Sequence, residues 1–172
     1  MEHNDDSRLQ EFRQLKREIR MSSEFLIVGI DIAKERHHAF FGTPTGTTLL
    51  RRLVVHNTRE GFENLCFHAN MLKDRHVLKK AVFGMEPTAD YHKPLAEHLI
   101  RKGYPVVLVA GTAVKRNREL LDGRWDKNDI KDAANVADLV AQGKCLFYEF
   151  PLPDIRSLRN LLSLKRRLKK QE

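Results

Sequence analysis

The segment Phe25-Leu-Ile-Val-Gly-Ile-Asp-Ile32 constrains this chain more than any other. It is an apolar run rich in β-branched residues, which reads as a strand buried on both faces of a sheet. Asp31 stands inside it. A lone carboxylate in such a run must find a partner, because burying it unpaired is costly.

The neighbouring segments build a sheet around this strand. Residues 36–42 form a second strand candidate, the Gly42-Thr-Pro-Thr-Gly46 cluster a turn, and residues 47–56 a third strand, which together make an antiparallel meander. Thr58 is placed to cap a helix that carries Phe62, Leu65, Cys66, Ala69 and Leu72 on one face. Residues 77–85 return to strand character, a helix over 91–102 is stopped by Gly103, and 104–110 is a short apolar strand. Two helices follow, near 112–121 and over 127–142, the second stopped by Gly143. The order βββαβαβαα predicts an α/β fold with a mixed five-stranded sheet flanked by helices.

Helical extensions flank this unit. Residues 1–24 carry Leu9, Phe12, Leu15 and Ile19 at three- and four-residue steps, an amphipathic helix whose stripe must dock. Pro151 and Pro153 punctuate the end of the central unit, residues 25–150. Residues 151–172 form a basic helix with a stripe of Ile155, Leu158, Leu161, Leu162, Leu164 and Leu168, expected to begin a longer helical region that this chain truncates.

Composition narrows the function. With 172 residues, 41% hydrophobic and 31% charged, the chain suits one folded core rather than a disordered or fibrous protein. No stretch is long and apolar enough for a membrane span, and the charged N-terminus is no secretory signal, so a cytoplasmic protein is expected. Cys66 and Cys145 have no zinc-ligand spacing and read as small core residues. The net charge is +8, and residues 151–172 hold seven Lys and Arg against Asp154 and Glu172. That balance favours a polyanionic partner such as nucleic acid, though a solvated helix face would give the same charge.

The acids form a pattern of their own. In a mixed sheet of this order, Asp31 on the first strand and Glu86 at the end of the fourth converge at one end of the sheet. Asp126, Asp129 and Asp132 fall at three-residue steps near a helix start, so Asp129 and Asp132 share a face. Oxygen donors grouped this way suit Mg²⁺ or Mn²⁺, and two such ions promote phosphodiester cleavage. Helix capping is the competing reading for Asp126, Asn128 and Asp129.

The motifs Gly29-Ile-Asp31-Ile-Ala-Lys34, Gly84-Met-Glu86-Pro-Thr88-Ala-Asp-Tyr91 and Lys127-Asn-Asp129-Ile-Lys-Asp132-Ala133 occur in the order and approximate spacing of the DEDD transposases of bacterial insertion sequences, which the chain resembles over roughly residues 25–145. The resemblance implies a RuvC-like, RNase H-type domain in which Asp31, Glu86, Asp129 and Asp132 are catalytic and bind Mg²⁺, with Mn²⁺ able to substitute. It further implies DNA strand cleavage and exchange in transposition, a structured bridging RNA as guide, a homo-oligomer, a coiled-coil region and a later domain with a catalytic serine. Nothing here resembles that serine domain, and Ser157 and Ser163 belong to the basic helix. The family usually has glycine where Ala89 stands, threonine where Asn128 stands, and Asn-Pro where this chain has Ala110-Gly111.

Lys34, Lys115, Arg116, Arg118 and Arg124 are candidates for phosphate contacts. Trp125 stacks on a base or packs, and Tyr91 and His92 follow Glu86 closely enough to line its cleft. Two other functions remain compatible with these residues: a stand-alone RuvC-like junction endonuclease, and a non-catalytic module for nucleic-acid binding and oligomerisation.

Overall fold

In the computed structural model, which describes residues 2–122, 129–148 and 153–169, alternating side chains of the first strand enter two separate cores. This strand, β1 (Phe25–Asp31), follows the N-terminal helix α1 (Glu2–Met21). Leu26, Val28 and Ile30 face one side, while Phe25 and Ile27 face the other. The period of two is the pleat of a strand, and burial on both sides is why the run contains no alternating polar residues.

β1 pairs antiparallel with β2 (Arg36–Gly42), which pairs antiparallel with β3 (Thr48–His56). On its other side β1 runs parallel to β4 (Lys80–Met85), which runs parallel to β5 (Val106–Leu108). The predicted meander and its parallel additions therefore form. A sixth strand, β6 (Leu146–Phe147), extends the predicted five by pairing antiparallel with β5, so the sheet order is β3-β2-β1-β4-β5-β6. At two residues it is too short to leave a periodic signal in sequence. This mixed sheet, covered by helices on both faces, is an RNase H-like α/β fold.

Helices α2 (Arg59–Arg75) and α3 (His92–Arg101) cover one face, burying Phe62, Leu65, Leu72, Leu95 and Leu99 against Phe83 and Met85. Thr58 caps α2 as expected, its side chain accepting from the Gly61 N–H at 3.2 Å. Helices α4 (Gly111–Asp122) and α5 (Asp129–Ala141), together with α1, cover the other face. The α1 stripe docks there through Phe12 and Ile19, and the Phe12 ring meets Phe147 at 5.4 Å. By contrast, α6 (Pro153–Leu168) keeps its stripe exposed, including Ile155, Leu158, Leu161 and Leu168. No described helix is long and apolar enough to cross a membrane.

α5 lies on the sheet at unusually close range because two glycines make room. Gly29 and Gly84 are register partners on β1 and β4. A Cβ on Gly29 would overlap the Ala133 carbonyl oxygen and approach the Ala137 nitrogen to 2.5 Å; one on Gly84 would overlap Val140. Ala133, Val136, Ala137 and Val140 thus form the sheet-facing side of α5, at the spacing of one helix face.

Three helices end alike. In α3 and α5 the left-handed residue after the cap is Gly103 (φ 82°) or Gly143 (φ 70°), and the next N–H reaches back to Leu99 or Leu139. In α2 the same hydrogen-bond pattern, Val77 N–H to Asp74 and Leu78 N–H to Lys73, is built with Val77 at φ 54°. A β-branched residue is strained there, and Val77 is exposed, so its side chain offsets little of that strain. Val77→Gly is expected to raise stability by about 1 kcal/mol, read as a Tm increase of about 2–4 °C. An unchanged or lower Tm would show that the Val77 backbone carries no such strain. Ala89 is also left-handed, at φ 46°, where the resembled family has glycine.

Three histidines add a pH dependence. Burial pushes His37, His92 and His98 below the usual histidine range. His92 is buried and packs its ring on Tyr148, with ring centroids 5.7 Å apart. The folded state prefers these rings neutral, whereas the unfolded chain takes up the protons near pH 6.5. Their contribution is therefore complete above that pH and is lost as pH falls below it. The carboxylates lowered by lysine contacts, Glu18, Glu63 and Asp90, act only below about pH 4.5, so the Tm decline between pH 6.5 and 5 belongs to the histidines. A flat Tm across that interval would contradict the assignment.

Candidate functional site

Register places the first two acids. Along β1, Ile27 and Gly29 face α5, so Asp31, two residues on, ends the same row. Along β4, Val82 and Gly84 do likewise, so Glu86 follows in the equivalent position immediately beyond Met85. Because Gly29 pairs with Gly84 and Ile30 with Met85, Asp31 and Glu86 end neighbouring parallel strands at the same level. Both are partly buried.

Each is held by its surroundings. Ile32 is buried directly after Asp31, and the Ala33 N–H donates to His37 Nδ1 at 3.2 Å. The same loop is tied to the strand beside it by Asn57, whose N–H donates to the Glu35 carbonyl at 2.9 Å and whose Nδ2 donates to the Lys34 carbonyl at 3.0 Å. His37, a packing histidine by its spacing, and Asn57 thus fix the loop that follows Asp31. Glu86 extends over the first residue of α4: a Cβ on Gly111 would stand 2.8 Å from Glu86 Oε1. The start of a helix favours a carboxylate through its free N–H groups and dipole.

The other acids come from α5. Asp129 opens the helix, one turn before Ala133, which sits over Gly29. The Asp129 side chain lies outside the described residues, as do Arg124, Trp125 and Asp126. Asp132 is buried and faces α4, where Arg118 Nη2 donates to its Oδ1. Among the described residues, no three acidic, histidine or cysteine side chains stand close enough together to hold a metal ion.

The basic candidates divide. Lys34, Lys115 and Arg116 are exposed, whereas Arg118 is half-buried and engaged with Asp132 rather than free for phosphate. A buried amide network holds α4 against α5: Asn117 Nδ2 donates to Asn135 Oδ1 (2.7 Å) and Asp138 Oδ2 (2.8 Å), and Asn135 Nδ2 donates to the Val114 carbonyl (2.7 Å).

A family model described as Transposase, that of the DEDD transposases of the IS110 type, matches residues 28–171, from β1 through α6. This chain belongs to that transposase family. No curated protein matches the transposase chain. Solved structures similar to it include RuvC of Thermus thermophilus in complex with Holliday junction substrate, 12% identical, covering 72% of this chain and 99% of that one at a TM-score of 0.46. The ROK hexokinase from the same organism is 18% identical, covering 58% of this chain and 38% of that one at a TM-score of 0.36.

The acids of the three sequence motifs fall on the elements just described. Asp31 ends β1, Glu86 follows β4, and Asp129 and Asp132 occupy the first turn of α5. Every proposed ligand is a carboxylate oxygen donor, the kind suited to a hard divalent cation.

Proposed function

We propose that this chain is the metal-binding, nuclease-like part of an insertion-sequence transposase, acting on DNA strands during cleavage and exchange. The observation that carries the reading is the paired ending of β1 and β4, Asp31 beside Glu86, on the sheet face beneath α5. Asp31, Glu86, Asp129 and Asp132 would hold Mg²⁺, or Mn²⁺ in its place. The ion supplies charge neutralisation at a phosphodiester and a more acidic water. The protein's own contribution would be placement: Asp31 and Glu86 from two neighbouring strand ends, Asp129 and Asp132 from the first turn of α5, with α4 beginning beside Glu86.

In this reading residues 25–150 are the catalytic unit, 1–24 a helical extension, and 151–172 the start of a leucine-rich helix. The exposed α6 stripe supports self-association into a homo-oligomer. Lys34, Lys115, Arg116 and Arg124 would track phosphates of DNA and of a guide RNA in the bacterial cytoplasm.

Fluorescence anisotropy with a labelled four-way DNA junction tests the partner. Binding in Mg²⁺ is expected, with log affinity falling linearly as log salt rises, and weakening when EDTA removes the ion. Absence of binding even at low salt would contradict the proposal.

A further inference from the structure

Resting on that reading of the acids, we propose that Arg118 is a built-in counter-cation for Asp132, which a divalent ion must displace and which then becomes available to nucleic-acid phosphate. The Asp132 side chain is only 4% exposed, and a carboxylate so placed needs a cation or several donors. Arg118 provides the cation through Nη2. The pairing does not depend on chance contact between two surface side chains, because the Asn117–Asn135–Asp138 network, fastened to the Val114 carbonyl, sets the register of α4 on α5.

The pair is also incompletely satisfied on the arginine side. Arg118 Nε is buried without a hydrogen-bond partner among the described residues, so the guanidinium does not meet the carboxylate with all the donors a two-edged pair would use. A second anion, or a move toward solvent, would satisfy that donor. Arg118 retains 26% side-chain exposure, and Lys115, one turn earlier on α4, is exposed. A guanidinium released from Asp132 would join Lys115 on that helix, where a phosphate offers both the charge and two oxygens that the arginine fork can engage together. Metal entry and phosphate capture are then linked: each favours the state in which Arg118 has left Asp132.

The test is calorimetric titration of Mn²⁺ into the metal-free chain and its variants, with circular dichroism to establish folding. Arg118→Gln removes the competing cation, and its Mn²⁺ Kd is expected to fall about tenfold, or roughly 1.4 kcal/mol. In an Asp132→Asn background the same change should have no effect. Arg118→Lys, which keeps a charge but loses the fork, should fall between; if the glutamine variant does not fold, a lysine variant binding Mn²⁺ no more tightly than the parent overturns the proposal. Equal Kd values for parent and Arg118→Gln, with binding abolished by Asp31→Asn, would overturn the role of Arg118 while leaving the acidic site standing. Absence of Mn²⁺ binding in every folded variant would overturn both.

Discussion

Gly29→Ala is expected to destabilise the fold by about 3 kcal/mol, the upper part of the range for overpacking a tight interface. A single methyl has this effect because of what it meets. At Gly29 the added Cβ would run into the backbone of α5, the Ala133 carbonyl and the Ala137 nitrogen, and backbone cannot rotate aside. The whole helix must rise from the sheet, loosening Val136 and Val140 in the core and moving the first turn that carries Asp129 and Asp132. Gly84→Ala provides the comparison. Its Cβ would meet the Val140 side chain, which can turn or shift, so a smaller loss, about 1 kcal/mol, is expected. Urea unfolding of both variants checks this. Equal losses, or a Gly29→Ala protein as stable as the parent, would contradict the close seating of α5.

If Asp31 holds the ion as proposed, Asp31→Asn should lower Mg²⁺-dependent strand cleavage by about a thousandfold or more while leaving the fold intact, because the ion that would neutralise developing charge loses a ligand. Asp31 is only partly buried, and asparagine is nearly the same size, so its replacement costs the fold little. Asp132 differs. Removing that buried carboxylate by Asp132→Ala takes the counter-charge from a half-buried Arg118, and a stability loss of about 1–3 kcal/mol would accompany any loss of activity. Rate measurements therefore need both variants beside their melting curves. A cleavage rate within tenfold of the parent in folded Asp31→Asn would remove Asp31 from the chemistry.

The sheet was largely legible because its signals are local. The β-branched run of β1, the glycine stops after α3 and α5, and Thr58 before α2 each act within a few residues. β6 was not legible: two residues pair only because β5 offers them an edge. For α1 the stripe was visible but not its dock, since Phe12 and Ile19 meet β-strand and α5 residues more than a hundred positions away as well as nearby ones. The same division holds at the site. Asp31 stood out as a carboxylate in an apolar strand, and Glu86 as the end of another. The engagement of Arg118 with Asp132 joins two helices through tertiary packing, which no spacing rule encodes, and so Arg118 read from sequence only as one more phosphate-binding cation. Gly111 likewise gains meaning only once the Glu86 carboxylate lies over it.

Anomalous diffraction from Mn²⁺-soaked crystals of the chain and of Asp31→Asn tests the central claim most directly. A peak among Asp31, Glu86, Asp129 and Asp132 that disappears in the variant is the predicted result. Crystals that hold Mn²⁺ elsewhere, or show no peak among these four acids at millimolar metal, would contradict it.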